Sequence, residues 1–215
     1  MRNTNEQTWE LFAVAVQKLG LELSPAQLVR FQKYEQLLRE WNARVNLVSR
    51  KDLDRLATYH FTDSLTAASL IPRDASVCDV GTGGGLPGIP LKIARDDISL
   101  VLVESIDKKA RFLEHAVQEL GLERTTVRAE RAEAIRDIKA DVVVCRLVGK
   151  TAEVARWVAG LLKPGGRIIL YKSTTVEAEL KLAQPALHRL HLRLKEVRDF
   201  PLPLIARRLV LLERA

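Results

Sequence analysis

The chain has 215 residues and a formal net charge of +7, with 47% hydrophobic and 28% charged residues, enough to bury a sizeable core as one domain with an appendage. A membrane span is excluded, because no apolar run approaches the roughly 20 residues it needs, and so is a disulfide framework, because Cys78 and Cys145 form no C-x-x-C. Four scattered histidines offer no metal spacing, the opening MRNTNEQTWE lacks the apolar stretch of a secretory signal, and the expected home is a reducing cytoplasm.

In chain order, the first 70 residues read as helices. One carries Trp9, Phe12, Val16 and Leu19. Ser24-Pro25-Ala26-Gln27 then combines an N-cap serine, a proline at the first helical position and a capping-box glutamine. Leu28, Phe31, Tyr34, Leu38 and Trp41 follow at three- and four-residue steps as one apolar stripe. Residues 42–50 break the period and read as an ordered loop, and a further helix covers His60–Leu70, up to Pro72.

After Pro72 the rhythm changes to strand, loop, helix. Strands are expected over 76–80, 98–104, 125–130, 140–145 and 166–171, and helices over 86–94, 108–120 and 151–162. Two closing strands, 190–197 and 207–213, follow with no helix between them. The alternation predicts an α/β fold: a mostly parallel sheet with helices on both faces and an antiparallel edge strand. The division is a helical N-terminal cap, 1–71, and a Rossmann-like domain, 72–215.

The stretch DVGTGGGLPGIPL (79–91) holds two glycine patterns. Gly83, Gly85 and Gly88 form the G-x-G-x-x-G of dinucleotide sites, while Asp79, an apolar residue, Gly81 and Gly83 form the pattern associated with S-adenosylmethionine. Both ligands bind where the first strand turns into its helix, and both use an acid at the end of the second strand for the ribose; Glu104 serves either. Asp79 separates them, because a carboxylate at the mouth of the strand repels a pyrophosphate and attracts an ammonium and a sulfonium. Pro87 agrees, having no N–H for a phosphate cradle, and a Walker loop is excluded by the missing Gly-Lys-Ser/Thr. The expected cofactor is S-adenosylmethionine.

Around this loop the chain resembles a known family. LLKPGGRIIL (161–170) is similar to the segment before the fifth strand of class I methyltransferases. EWNARVNLVS (40–49), HFTDSL (60–65), the glycine loop, ESIDKKARFL (104–113), RAE (131–133) and Arg146 together resemble the bacterial small-subunit rRNA guanine-N7 methyltransferases, also called glucose-inhibited division protein B. The resemblance implies a class I S-adenosylmethionine-dependent methyltransferase domain behind a helical cap. It implies methyl transfer to N7 of one guanine in the 16S rRNA loop beside the decoding site, with 16S rRNA or the 30S subunit as partner, no membrane and a monomeric protein. By motif, the cofactor contacts would be Gly81, Leu86, Ala132, Glu133 and Arg146, with Glu104 on the ribose; His60 and Lys172 would serve the substrate. Two departures stand out: Leu147-Val148-Gly149 follow Arg146 where the family has alanine and an aromatic residue, and Lys172 is followed by Ser173 where the family has glycine.

The chemistry narrows the reaction further. Exocyclic amine methylation commonly uses Asn/Asp-Pro-Pro-aromatic after the fourth strand, where this chain has VCRLVGK (144–150). Guanine N7 already presents a lone pair, so no general base is required and the work is alignment with water excluded. Arg146 is expected either to donate to guanine O6 or to bind the methionine carboxylate. Cys145 as a C5-pyrimidine nucleophile lacks its usual neighbours, and both cysteines read as small buried hydrophobes. His60 and Asp63, three apart, either orient the base or brace the cap. Lys108 and Lys109 either contact phosphates or begin a solvated helix, and Trp9 and Trp41 read as core.

Charge is concentrated late. Residues 145–215 carry 14 Lys/Arg against 6 Asp/Glu, whereas residues 72–144 carry 11 against 13. The expectation is an RNA footprint on the last third, with Arg207 and Arg208 among its phosphate contacts. The competing functions are a degenerate ribosome-binding module and a small-molecule dehydrogenase, the latter opposed by Asp79.

Overall fold

The computed structural model describes residues 4–146, 149–202 and 205–215. The cap begins with α1 (Thr4–Lys18) and α2 (Pro25–Asn42). The expected capping box starts α2: Ser24 Oγ accepts from Gln27 N–H at 3.2 Å, and Gln27 Oε1 accepts from Ser24 N–H at 2.8 Å. Phe31, Tyr34 and Leu38 of the apolar stripe are buried, and Leu28 and Trp41 pack at its margins. Instead of one helix over 60–70, the chain winds a 3-10 turn (Arg50–Arg55), a wide π-helical turn (Leu56–Phe61), the short α3 (Thr62–Leu65) and a last 3-10 turn (Ala68–Leu70). Residues 60–65 are all buried, so this segment has no solvent face to impose a helical period.

The remainder is β1 (Ser76–Val80), α4 (Gly88–Ala94), β2 (Ser99–Val103), α5 (Asp107–Glu119), β3 (Thr125–Arg128), β4 (Ala140–Arg146), α6 (Thr151–Val158), β5 (Leu162–Lys172), α7 (Glu177–Arg189), β6 (Leu192–Leu202) and β7 (Ile205–Arg214). The strand order is β3-β2-β1-β4-β5-β7-β6. The first five strands are mutually parallel, and β7 is antiparallel to both β5 and β6. The antiparallel strand therefore stands one place in from the edge, which β6 forms. Helix α7 has no counterpart in the sequence reading, because Pro185 sits inside it and masks the Leu180, Ala183, Leu187 stripe.

The sheet divides two cores. Val77, Val142, Val144, Ile169, Tyr171 and Leu209 face the cap, in one continuous core with Phe12, Phe31 and Phe61. Their neighbours Cys78, Val143, Cys145, Ile168, Leu170 and Val210 face α6 and α7. Burial on both faces explains why these strands read as unbroken apolar runs.

Candidate functional site at the strand ends

The glycine loop leaves β1 in a left-handed turn. Gly81 has φ +69°, a conformation that favours residues without a Cβ. Its neighbours spend their donors internally. The N–H groups of Gly81 and Thr82 go to Val103 O at 2.9 and 3.3 Å, and those of Gly85 and Leu86 to Thr82 O at 3.0 Å each. Gly83 N–H reaches Glu104 Oε2 at 3.0 Å and Gly88 N–H reaches Asp79 Oδ2 at 2.8 Å. With Pro87 lacking a donor, only the Gly84 N–H is left over, so the turn is no cradle for a phosphate. Gly88, the third glycine of the dinucleotide pattern, serves packing instead: a Cβ there would lie 2.6 Å from Leu102 Cδ2 and 2.7 Å from Asp79 Oδ2.

Asp79 stands at the C-terminal end of β1, as expected, but is fully buried beneath the turn. Thr82 Oγ1 donates to Oδ2 at 2.5 Å, while Oδ1 is buried and unpartnered among the described residues. Burial pushes its carboxyl up to about 7, against the opposing pull of Thr82, the Gly88 N–H and the Arg146 charge. The cap holds the turn from the other side, where Tyr34 Oη donates to Gly84 O at 2.5 Å. Glu104 closes it, its Oε1 accepting from Ile106 N–H at 2.9 Å.

A cleft of about 250 Å³ opens beside the turn. It brings together Gly81, Glu104, Ala132 and Glu133, four of the expected contacts, and adds Glu130 and Trp157. Nothing in the sequence pointed to Trp157, which arrives from α6. Leu86, Arg146, His60 and Lys172 lie outside this cleft; Leu86 is packed in the core under the turn. A larger groove, about 880 Å³, runs along α2 on the cap between Trp9 and Arg39. It contains no residue from the strand ends.

Arg146 heads a second group, just past the end of the β1–β4 pairing. Its Nη1 donates to Asp63 Oδ2 at 3.0 Å and its Nη2 meets His60 Nδ1 at 3.1 Å. Arg207 donates from Nε to Asp63 Oδ1 at 2.7 Å, from Nη2 to Asp63 Oδ2 at 2.9 Å and from Nη1 to Lys172 O at 3.4 Å. All four side chains are buried. Since Arg146 donates to Nδ1, the His60 proton resides on Nε2, which faces Asp52 Oδ2 at 3.4 Å without a hydrogen bond. Burial, then the Arg146 charge, lowers His60 to about 4, so its imidazole is neutral at working pH. The His60–Asp63 motif thus braces the cap against β4 and β7. Lys172 is tied to Glu179 Oε1 at 2.7 Å and Gly149 O at 2.6 Å.

Two expectations change here. Arg207 is no phosphate contact, being buried on Asp63, and Arg208 is paired with Asp199 and Glu177. Much of the late positive charge is likewise answered: Arg193 and Lys195 by Glu213, Lys163 by Asp141, Arg198 by Glu196. By contrast, the side chains of Arg50, Lys51, Lys108 and Arg131 are exposed and, like Lys109, have no ion pair among the described residues. Both cysteines are buried, and burial pushes the Cys78 thiol up to about 12 and Cys145 up as well, which removes the thiolate a nucleophile needs. Leu147 and Val148, where the chain departs from the family pattern, lie outside the described residues.

Residues 27–205 match the family model described as rRNA small subunit methyltransferase G. The chain is 38% identical over 206 residues to ribosomal RNA small subunit methyltransferase G of Lysinibacillus sphaericus, covering 93% of this chain and 85% of that one. It is 36% identical over 171 residues to the protein of the same name from Neisseria meningitidis, covering 80% and 83%. Among solved structures it is similar to magnesium protoporphyrin IX methyltransferase from Synechocystis with bound SAM, at TM-score 0.59 and 15% identity, covering 89% of this chain and 98% of that one. The ribosomal protein L11 methylase of Lactobacillus delbrueckii aligns at TM-score 0.57 and 16% identity, covering 72% and 78%; at such identities the likeness concerns the fold.

Proposed function

The chain belongs to the rRNA small subunit methyltransferase G family, and from that premise we propose how its residues divide the work. It is an S-adenosylmethionine-dependent methyltransferase of small-subunit rRNA, acting at guanine N7. The finer reading places the target in the 16S loop beside the decoding site, with the 30S subunit as partner and a monomeric, cytoplasmic enzyme whose cap and sheet work as one unit. The observation that carries the assignment is the glycine turn, whose donors are consumed internally while Asp79 keeps one buried oxygen unpartnered among the described residues. That suits a cationic donor end and not a pyrophosphate.

The residues fit this ligand. Gly81, Ala132, Glu133 and Trp157 would enclose the adenosine, Glu104 would accept from the ribose, and Asp79 would face the ammonium. When bound, S-adenosylmethionine supplies a methyl group carried on a sulfonium. Transfer to N7 leaves a neutral thioether and a positively charged purine, and no proton leaves, so His60 has no general-base role. A cation donating to O6 would oppose the charge the purine acquires. Arg146 is accordingly assigned to the methionine carboxylate. For the RNA, the unpaired Arg50, Lys51, Lys108, Lys109 and Arg131 at or near the C-terminal strand ends are better phosphate contacts than the paired late cations.

Calorimetry with S-adenosylmethionine and with NAD tests the cofactor: binding of NAD alone would overturn the reading, and binding of neither would favour a degenerate ribosome-binding module. Methylating naked 16S rRNA and 30S particles, then cleaving at 7-methylguanosine and mapping by reverse transcription, tests the target.

A further inference from the structure

Asp63 is shared unequally. Arg207 grips it with two bonds, at 2.7 and 2.9 Å, while Arg146 places one, at 3.0 Å, on an oxygen that Arg207 already holds. Two guanidiniums face one carboxylate, the neighbouring His60 is neutral, and all are at most 8% exposed. One positive charge is therefore unbalanced where solvent does little to screen it. The fork of Arg207 matches the carboxylate, so the unbalanced charge falls to Arg146, whose Nε makes no hydrogen bond among the described residues. Of the other carboxylates nearby, Asp52 stands on the far side of His60 and pairs with Arg55, and Asp79 is held under the glycine turn by Thr82 and Gly88; neither touches Arg146.

We propose that Arg207 is a positioning residue: by occupying Asp63 it keeps Arg146 un-neutralised for an anion, the carboxylate of the methyl donor. This rests on the reading of the site given above. An RNA phosphate is the other source of the same chemistry.

Arg207→Gln removes the fork and its charge, so Asp63 turns onto Arg146 and neutralises it. Affinity for S-adenosylmethionine then falls about tenfold, the worth of one charge-assisted contact. Affinity for 5′-methylthioadenosine, which lacks the amino-acid end, stays unchanged. Both are read by calorimetry on the full chain, corrected for the folded fraction by circular dichroism. Adding Asp63→Asn to Arg207→Gln frees Arg146 again and restores most of the lost affinity, whereas a purely bracing role makes the double variant worse than the single. Should Arg207→Gln not fold, Arg207→Lys, which keeps the charge on Asp63 but loses the two-pronged grip, gives a smaller loss, again confined to S-adenosylmethionine. Equal losses for both ligands, or no loss for either, overturn the proposal. A raised KM for RNA with donor affinity untouched assigns the anion to a phosphate and overturns the carboxylate. Failure of the underlying function looks different: the unaltered chain binds neither adenosine ligand.

Discussion

Asp79→Asn separates what this carboxylate does to the fold from what it does for the ligand. Burial raises it from 3.8 to about 7, so the folded state holds its proton more tightly than the unfolded state. Below pH 4 both states are protonated and the group costs nothing; the cost grows between pH 4 and 7 and is constant above. At about 1.36 kcal/mol per pH unit, a rise of about three gives about 4 kcal/mol at pH 8 and about 1.5 kcal/mol at pH 5. Asparagine keeps the shape, its Oδ1 can still accept from Thr82 and Gly88, and it is uncharged throughout. Guanidinium titrations at the two pH values should therefore find the variant gaining about 2.5 kcal/mol on the wild type between pH 5 and pH 8. Its S-adenosylmethionine affinity should fall, because the ammonium loses its partner, and wild-type binding should release a proton below pH 7, read as a buffer-dependent heat. A stability gap identical at both pH values would refute the buried ionisation; undiminished affinity at pH 8 would refute the ammonium contact.

Gly81→Val should abolish S-adenosylmethionine binding while near-ultraviolet dichroism reports an intact cap, since φ +69° is closed to a β-branched residue. His60 titrates at about 4, so with chemistry limiting, the rate between pH 5.5 and 8 should show no ascending limb that vanishes in His60→Gln. Reversing Lys108 and Lys109 should flatten the salt dependence of RNA binding by roughly one unit of slope per lost phosphate contact, and reversing Arg193 and Lys195 should leave it nearly unchanged.

What the sequence made legible were local patterns. The capping box at Ser24 depends on a neighbour three residues away, and its geometry followed. The strands that deliver Gly81, Glu104 and Ala132 are parallel neighbours, which brings these residues to one cleft. What stayed hidden depends on distant partners. Asp63 meets Arg146 across 83 positions and Arg207 across 144, and no periodicity foretells that a late arginine turns inward. Counting charges treated Arg207 and Lys195 alike, although one is a buried strut and the other a surface pair. Asp79 lies deeper than its place at the end of a strand suggests, since burial of a carboxylate depends on what packs over it. Pro185 hid α7, and the fully buried HFTDSL segment hid a π-turn.

Strand order also imposes an order in time. β6 precedes β7 in the chain yet lies outside it, so β6 has no place on the growing sheet until β7 has paired with β5. Until then β5 presents an open apolar edge, a template for association with other chains, and Asp63 has Arg146 as its sole guanidinium. A nascent or shortened polypeptide stopping before Arg207 would lack Leu209 and Leu211 from one core and Val210 and Leu212 from the other, as well as the second guanidinium on Asp63. On the proposed role of Arg207, competence to bind the methyl donor would arrive with the last strand to be synthesised.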